Sequence, residues 1–168
     1  SSLFNERGMF KEEHHELPQV DERARADYID RYTQFFSDRP LQGQRLLFYQ
    51  HSAVGRDLFV EILEELGATV FPCGRSDTFV PIDTENIDAE QLAVIQALTN
   101  DVVAQYGPVD AVVSTDGDSD RPLLLGVDAS TRKVHFYGGD LLGMVVASYL
   151  KADAVVVPIS CNDAINLS

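Results

Sequence analysis

Basic residues are scarce in this sequence: 13 Lys and Arg stand against 27 Asp and Glu, a net charge of −14. A field of that sign repels phosphate backbones and anionic lipid, so neither nucleic acid nor a membrane surface is an expected partner. Long apolar runs are also lacking. Leu141 to Ala147 and Ala154 to Ile159 are the longest, well short of the roughly 20 residues a membrane-spanning helix needs. The first residues show no charged, then apolar, then small succession, so no secretory leader is expected. Only two cysteines occur, Cys73 and Cys161, in neither a CxxC pair nor a metal-ligand spacing. Two reduced thiols in a cytoplasmic protein are therefore expected. No GxxxxGK or GxGxxG string is present, which leaves nucleotide binding without a motif.

What is there is a globular composition: 168 residues, 45% hydrophobic and 24% charged. That suffices for one sizeable core, or for one domain and part of another. Residues 1–40 read as a linker followed by a docking helix over 22–36. Asp21 would cap that helix, and Tyr28, Tyr32, Phe35 and Phe36 would give it one sticky face.

From Gln44 the rhythm becomes strand, helix, strand. Strands are predicted at Arg45 to Gln50, Ala68 to Cys73 and Val109 to Thr115. Between them fall a helix from Arg56 to Leu66, stopped by Gly67, and one from Asp88 to about Gln105. Beyond Arg121 the pattern predicts a hairpin (Leu123 to Val127 and Lys133 to Tyr137). An apolar helix from Asp140 to Leu150 and a buried strand from Ala154 to Ile159 would follow. The fold class expected is α/β, a layered α/β/α arrangement on a largely parallel or mixed sheet. The expected division is 41–121 as an α/β domain ending in a metal-binding loop, then 122–168 as the incomplete start of a following α/β domain.

The charge is concentrated. From Asp57 to Asp120 there are 14 acidic residues and one basic residue, Arg75. Most of these belong on solvated helix faces. The string Ser114-Thr-Asp116-Gly-Asp118-Ser-Asp120-Arg121 differs, because it directly follows a buried strand, where α/β sheets bind ligands. Carboxylates at i, i+2 and i+4 can converge from one side of a looped backbone, and left alone their repulsion would raise their pKa values. A hard divalent cation removes that cost, and Mg²⁺ suits oxygen ligands. Arg121 offers a planar fork for a phosphate.

Other readings of the loop compete. An EF-hand needs Gly at position six and Glu at position twelve, where this chain has Arg121 and Val127. A phosphatase with Asp116 as nucleophile matches loosely and lacks an evident lysine. A plain Asp-rich turn capping a helix or hairpin is the bland alternative. Ser114 and Thr115 could orient the carboxylates. His51, Ser52 and Gly55 could line a cleft, although an ordinary strand-to-helix turn uses the same residues. His14 and His15 read as solvated surface and His135 as a facing residue on a strand. Asp140 reads as the cap of the helix it opens.

The string DGDSDR resembles the DGDxDR metal loop of the α-D-phosphohexomutases, the family of phosphomannomutase and phosphoglucomutase. RLLFYQHSAVGRDLFVEILEELGATV resembles the opening of that family's second domain. SDTFVPIDTENI and Tyr137-Gly-Gly-Asp140-Leu-Leu resemble later segments in the family's order. The likeness spans about residues 40–160. It implies Mg²⁺ on Asp116, Asp118 and Asp120, with Arg121 near the phosphoryl site. It also implies interconversion of hexose 1- and 6-phosphates through a phosphoserine and a bisphosphate intermediate. The family's catalytic serine, sugar-reading loop and phosphate clamp have no counterpart here. The chain is thus expected to be a fragment whose partners include missing domains of the same polypeptide, and to be inactive alone. A Mg²⁺-dependent phosphatase and a non-catalytic divalent-cation-binding module remain the alternatives.

Overall fold

A computed structural model describes residues 4–11 and 19–162. Nine elements follow in order: α1 (Arg23–Phe35), β1 (Arg45–His51), α2 (Arg56–Glu65), β2 (Thr69–Arg75), α3 (Ala89–Tyr106), β3 (Ala111–Thr115), β4 (Pro122–Val127), β5 (Val134–Tyr137) and α4 (Gly139–Leu150). The strands form one sheet in the order β2-β1-β3-β4-β5. β1 is parallel to both β2 and β3, whereas β4 and β5 join antiparallel, so the sheet is mixed. β3 and β4 pair from Ala111↔Gly126 to Thr115↔Pro122, so the hairpin beyond residue 121 extends the sheet that precedes it.

β1 lies between two parallel neighbours, and six of its seven residues are buried, as a doubly covered strand requires. The chain leaves β1 for β2 on one side and returns from β2 to β3 on the other. Right-handed crossovers then place α2 and α3 on opposite faces. Strand alternation agrees. Leu47 and Tyr49 share a core with Ile95, Val102 and Val103 of α3 and with Val112, Leu123 and Leu125. Each such buried aliphatic side chain contributes about 1.5–3 kcal/mol.

Local signals set several boundaries. Asp88 Oδ1 accepts the Gln91 N–H at 2.8 Å and starts α3. Gly67, at φ 102°, follows the end of α2 in a conformation glycine adopts without strain. Arg45 fastens the end of α3: its side chain donates to the carbonyls of Tyr106 and Pro108 at 2.6 and 2.7 Å and covers the Phe71 ring. The docking helix is α1. It meets α2 through an Arg25–Glu61 ion pair and an edge contact of Tyr28 on Phe59. Phe35 remains mostly exposed, so the sticky face is only partly used.

Two expectations are corrected. Ala154 to Ile159 is neither a strand nor buried: Val156 and Ile159 are fully exposed. A β-branched run becomes a strand only beside a ladder partner, and no strand lies alongside it among the described residues. Asp140 is not the cap of α4. Gly138 occupies that position without a side-chain bond, and Asp140 sits in the first turn with Oδ2 accepting the Asn162 N–H at 2.8 Å. His14 and His15 lie outside the described residues. No described helix is long and apolar enough to cross a membrane.

Candidate metal centre

The strand order 2-1-3 creates a switch point: from neighbouring strands β1 and β3 the chain departs in opposite directions. Ligands of open α/β sheets bind beyond the carboxyl ends at such a point. Both loops of interest are there. Residues 52–55 leave the end of β1, and residues 116–121 link β3 to β4 as the loop of an antiparallel hairpin. The Asp116 N–H donates to the Arg121 carbonyl at 3.1 Å and closes that loop at its base.

Asp116 is the structural centre of the acidic loop. It is 2% exposed. Its Oδ1 accepts the backbone N–H groups of Asp120 and Arg121 at 3.1 and 3.2 Å, and its Oδ2 accepts Arg121 Nε at 2.9 Å. Burial pushes its pKa up, but the Arg121 N–H and guanidinium outweigh that and hold the carboxyl below its ordinary value. The expected rise from mutual repulsion is therefore reversed at Asp116. Arg121 also lies 3.5 Å from Asp120, and its side chain remains 58% exposed. Its fork is half committed to the loop and half open to solvent.

Asp118 and Asp120 are exposed and flank Ser119. One carboxylate oxygen from each of Asp116, Asp118 and Asp120 can be chosen so that all three lie within 4.8 Å of one another. Three hard oxygens converging from a six-residue loop fit a small divalent cation such as Mg²⁺. The loop opens into a cleft of about 480 Å³ lined by Ser52, Val54, Phe79, Pro81, Asp116 and Arg121.

The neighbours divide by role. Neither hydroxyl expected to orient the carboxylates does so. Ser114 Oγ donates to the Tyr49 carbonyl at 2.6 Å, and Thr115 Oγ1 reaches the Asp116 carbonyl and Ser119 Oγ. Ser52 does line the cleft, and its Oγ accepts the Val80 N–H at 2.8 Å, which pins the loop carrying Phe79. His51 does not reach the cleft. It is fully buried, with Nε2 2.8 Å from the Thr115 carbonyl. His135 is exposed on β5. Gly55, named above as a possible cleft residue, instead joins Val54 and Ser119, which sequence reading missed, in locking the two loops together. The Val54 N–H donates to the Gly117 carbonyl at 3.0 Å, and the Gly55 N–H to Ser119 Oγ at 2.9 Å. The faint signals were a glycine at the start of α2 and the lone hydroxyl inside DGDSDR.

Fold and loop together define an α/β segment that carries a cluster of three carboxylates on a hairpin at the sheet's switch point. No family model matches the chain. It is 41% identical over 143 residues to a phosphomannomutase of Salmonella muenchen, and 39% identical over 138 residues to a phosphomannomutase of Sinorhizobium fredii (strain NBRC 101917 / NGR234). The matches cover 85% and 82% of this chain, which spans only 28% and 27% of the length of those relatives. Over the matched residues the chain is similar to a segment of these two phosphomannomutases.

Proposed function

We propose that this chain supplies the metal-binding segment of a phosphohexomutase, an enzyme that interconverts hexose 1-phosphate and hexose 6-phosphate by way of a phosphoserine and a bisphosphate. The observation that carries the reading is the convergence of Asp116, Asp118 and Asp120 at the carboxyl ends of β1 and β3. In this reading the three carboxylates hold Mg²⁺, which when bound acts as a Lewis acid on a phosphoryl oxygen. Asp116 keeps the loop folded around that position. Arg121 is held by Asp116 at Nε and turns the rest of its guanidinium to solvent, where a phosphoryl group can dock. The work of these residues is positioning and charge neutralisation, as phosphoryl transfer requires.

The family's phosphoserine and sugar-phosphate clamp have no counterpart among these 168 residues, so the chain alone is proposed to be inactive. The phosphatase reading has less support, because the lysine such an enzyme needs has no evident candidate in the sequence.

The test begins with an immunoblot of source cells against this chain. A product well above 18.6 kDa is to be purified and assayed for Mg²⁺-dependent exchange of mannose and glucose 1- and 6-phosphates. Exchange that disappears on Asp118→Asn is the expected result. A larger product with no exchange, or a product of 18.6 kDa, overturns the mutase reading and leaves a cation-binding module.

A further inference from the structure

The two loops at the switch point are fastened by contacts that serve no evident purpose in a simple strand-to-helix turn. Ser119, between two of the acidic residues, has φ 68°, a left-handed conformation that a serine adopts at a cost. Its Oγ accepts the Gly55 N–H at 2.9 Å and lies 3.1 Å from Thr115 Oγ1. One residue before Gly55 and two before Ser119, the Val54 N–H donates to the Gly117 carbonyl. The packing is as tight as the bonding. A Cβ added at Gly55 would stand 3.0 Å from the Ser119 Cβ and 3.0 Å from the Phe59 ring, so the residue at 55 must be small for the loops to close. Below this latch, His51 grips the Thr115 carbonyl.

We infer that Ser119 is a positioning residue for the cation site, acting through Gly55. This rests on the reading that Asp116, Asp118 and Asp120 hold the metal. Asp118 and Asp120 are exposed carboxylates on either side of Ser119, and without a brace their like charges drive them apart. The Ser119 hydroxyl, moored to the start of α2, fixes the backbone turn from which both side chains leave. The strained φ is retained because a glycine there, though more comfortable, has no hydroxyl to moor.

Ser119→Gly separates the two effects, because it accepts the positive φ and deletes the hydroxyl. The full 168-residue chain is titrated with Mn²⁺ alone, and free ion is read by electron paramagnetic resonance. In parallel, urea midpoints and exchange of the Gly55 amide are measured without metal. The expected result is a roughly tenfold or greater loss of Mn²⁺ affinity, the scale seen when groups that orient metal ligands are removed. The urea midpoint should be unchanged or higher, and the Gly55 amide should exchange faster. Equal affinity in wild type and variant overturns this inference and leaves the cation reading standing, whatever the amide does. Loss of affinity only in step with loss of stability also overturns it. A wild type that binds no Mn²⁺ overturns the cation reading and this inference with it.

Discussion

His51 Nε2 lies 2.8 Å from the Thr115 carbonyl oxygen, so the last residue of β1 holds the last residue of β3 where the acidic loop begins. A carbonyl can only accept, which places the proton on Nε2. Nδ1 is buried with no partner among the described residues. A second proton would create a buried cation without an acceptor. Burial therefore pushes the His51 pKa below its ordinary 6.5, and Arg56 adds to this against the opposing pulls of the Thr115 carbonyl and Asp116. With the folded pKa depressed, the unfolded chain binds the proton first. The stability from neutral His51 is present above 6.5 and is lost as pH falls below it. The urea midpoint should decline between about pH 7 and pH 5, and His51→Gln should flatten the decline.

Asp116 and Asp118 should part company under mutation. Asp116→Ala strands the N–H groups of Asp120 and Arg121 inside the loop, with an expected cost of about 1–3 kcal/mol in urea denaturation without metal. Asp118 is exposed, so Asp118→Asn should stay within about 0.5 kcal/mol of wild type. Adding Mg²⁺ should raise the wild-type midpoint, since the ion binds only the folded loop, and should leave Asp118→Asn almost unmoved. On the acid side, Asp116 has a depressed pKa. Its contribution is present above the ordinary 3.8 and fades as pH falls through its folded value.

Gly74 should tolerate no side chain. It has φ 66°, and an added Cβ would stand 2.7 Å from the Tyr49 ring and 2.8 Å from Leu98 Cδ1. Gly74→Ala combines backbone strain with overpacking of the core and should cost about 2–4 kcal/mol. Gly107, at φ 87° and ψ −173°, lies in a region open essentially to glycine alone but has open space around it, so Gly107→Ala brings backbone strain without overpacking, about 1–3 kcal/mol. Thermal melts of each variant measure the two costs.

Much of this was readable from residue order. The parallel β1-α2-β2 unit, the long α3 and its Asp88 cap each depend on local pattern: apolar period, a capping side chain, a glycine stop. The acidic cluster was legible because three aspartates at alternate positions follow a core strand. Two things were not. Ala154 to Ile159 has a strand's composition, but a strand exists only by pairing, and pairing is not local. The link from Gly55 to Ser119 spans 64 residues, and nothing in either neighbourhood names the other. The pKa of Asp116 was misjudged for a related reason. The repulsion was visible in the string, whereas the Arg121 side chain folding back onto Asp116 was not.

The outer face of α4 should behave as an adhesive. Val145, Val146, Tyr149 and Leu150 are each more than half exposed, and Val156 and Ile159 stand fully in solvent nearby in sequence. Exposed apolar side chains in this number bind apolar dyes and promote association. The chain should enhance anilinonaphthalene sulfonate fluorescence and sediment faster with rising concentration. Val145→Glu with Tyr149→Glu should reduce both while leaving the urea midpoint near that of wild type, because neither side chain is buried in the fold.

The acidic loop is sewn into a hairpin at both ends: Thr115 faces Pro122 across the ladder, and the Asp116 N–H meets the Arg121 carbonyl. That makes its length a ruler. Each aspartate is located by counting from a fixed end, so the six positions act as a measured span rather than as a flexible tether. Exchange of a side chain within the span alters one contact. Insertion or deletion of a single residue must either push Asp118 and Asp120 off their shared point or slip β4 by one place, which turns Leu123 and Leu125 out of the core. Spacing in this segment is therefore less forgiving than composition.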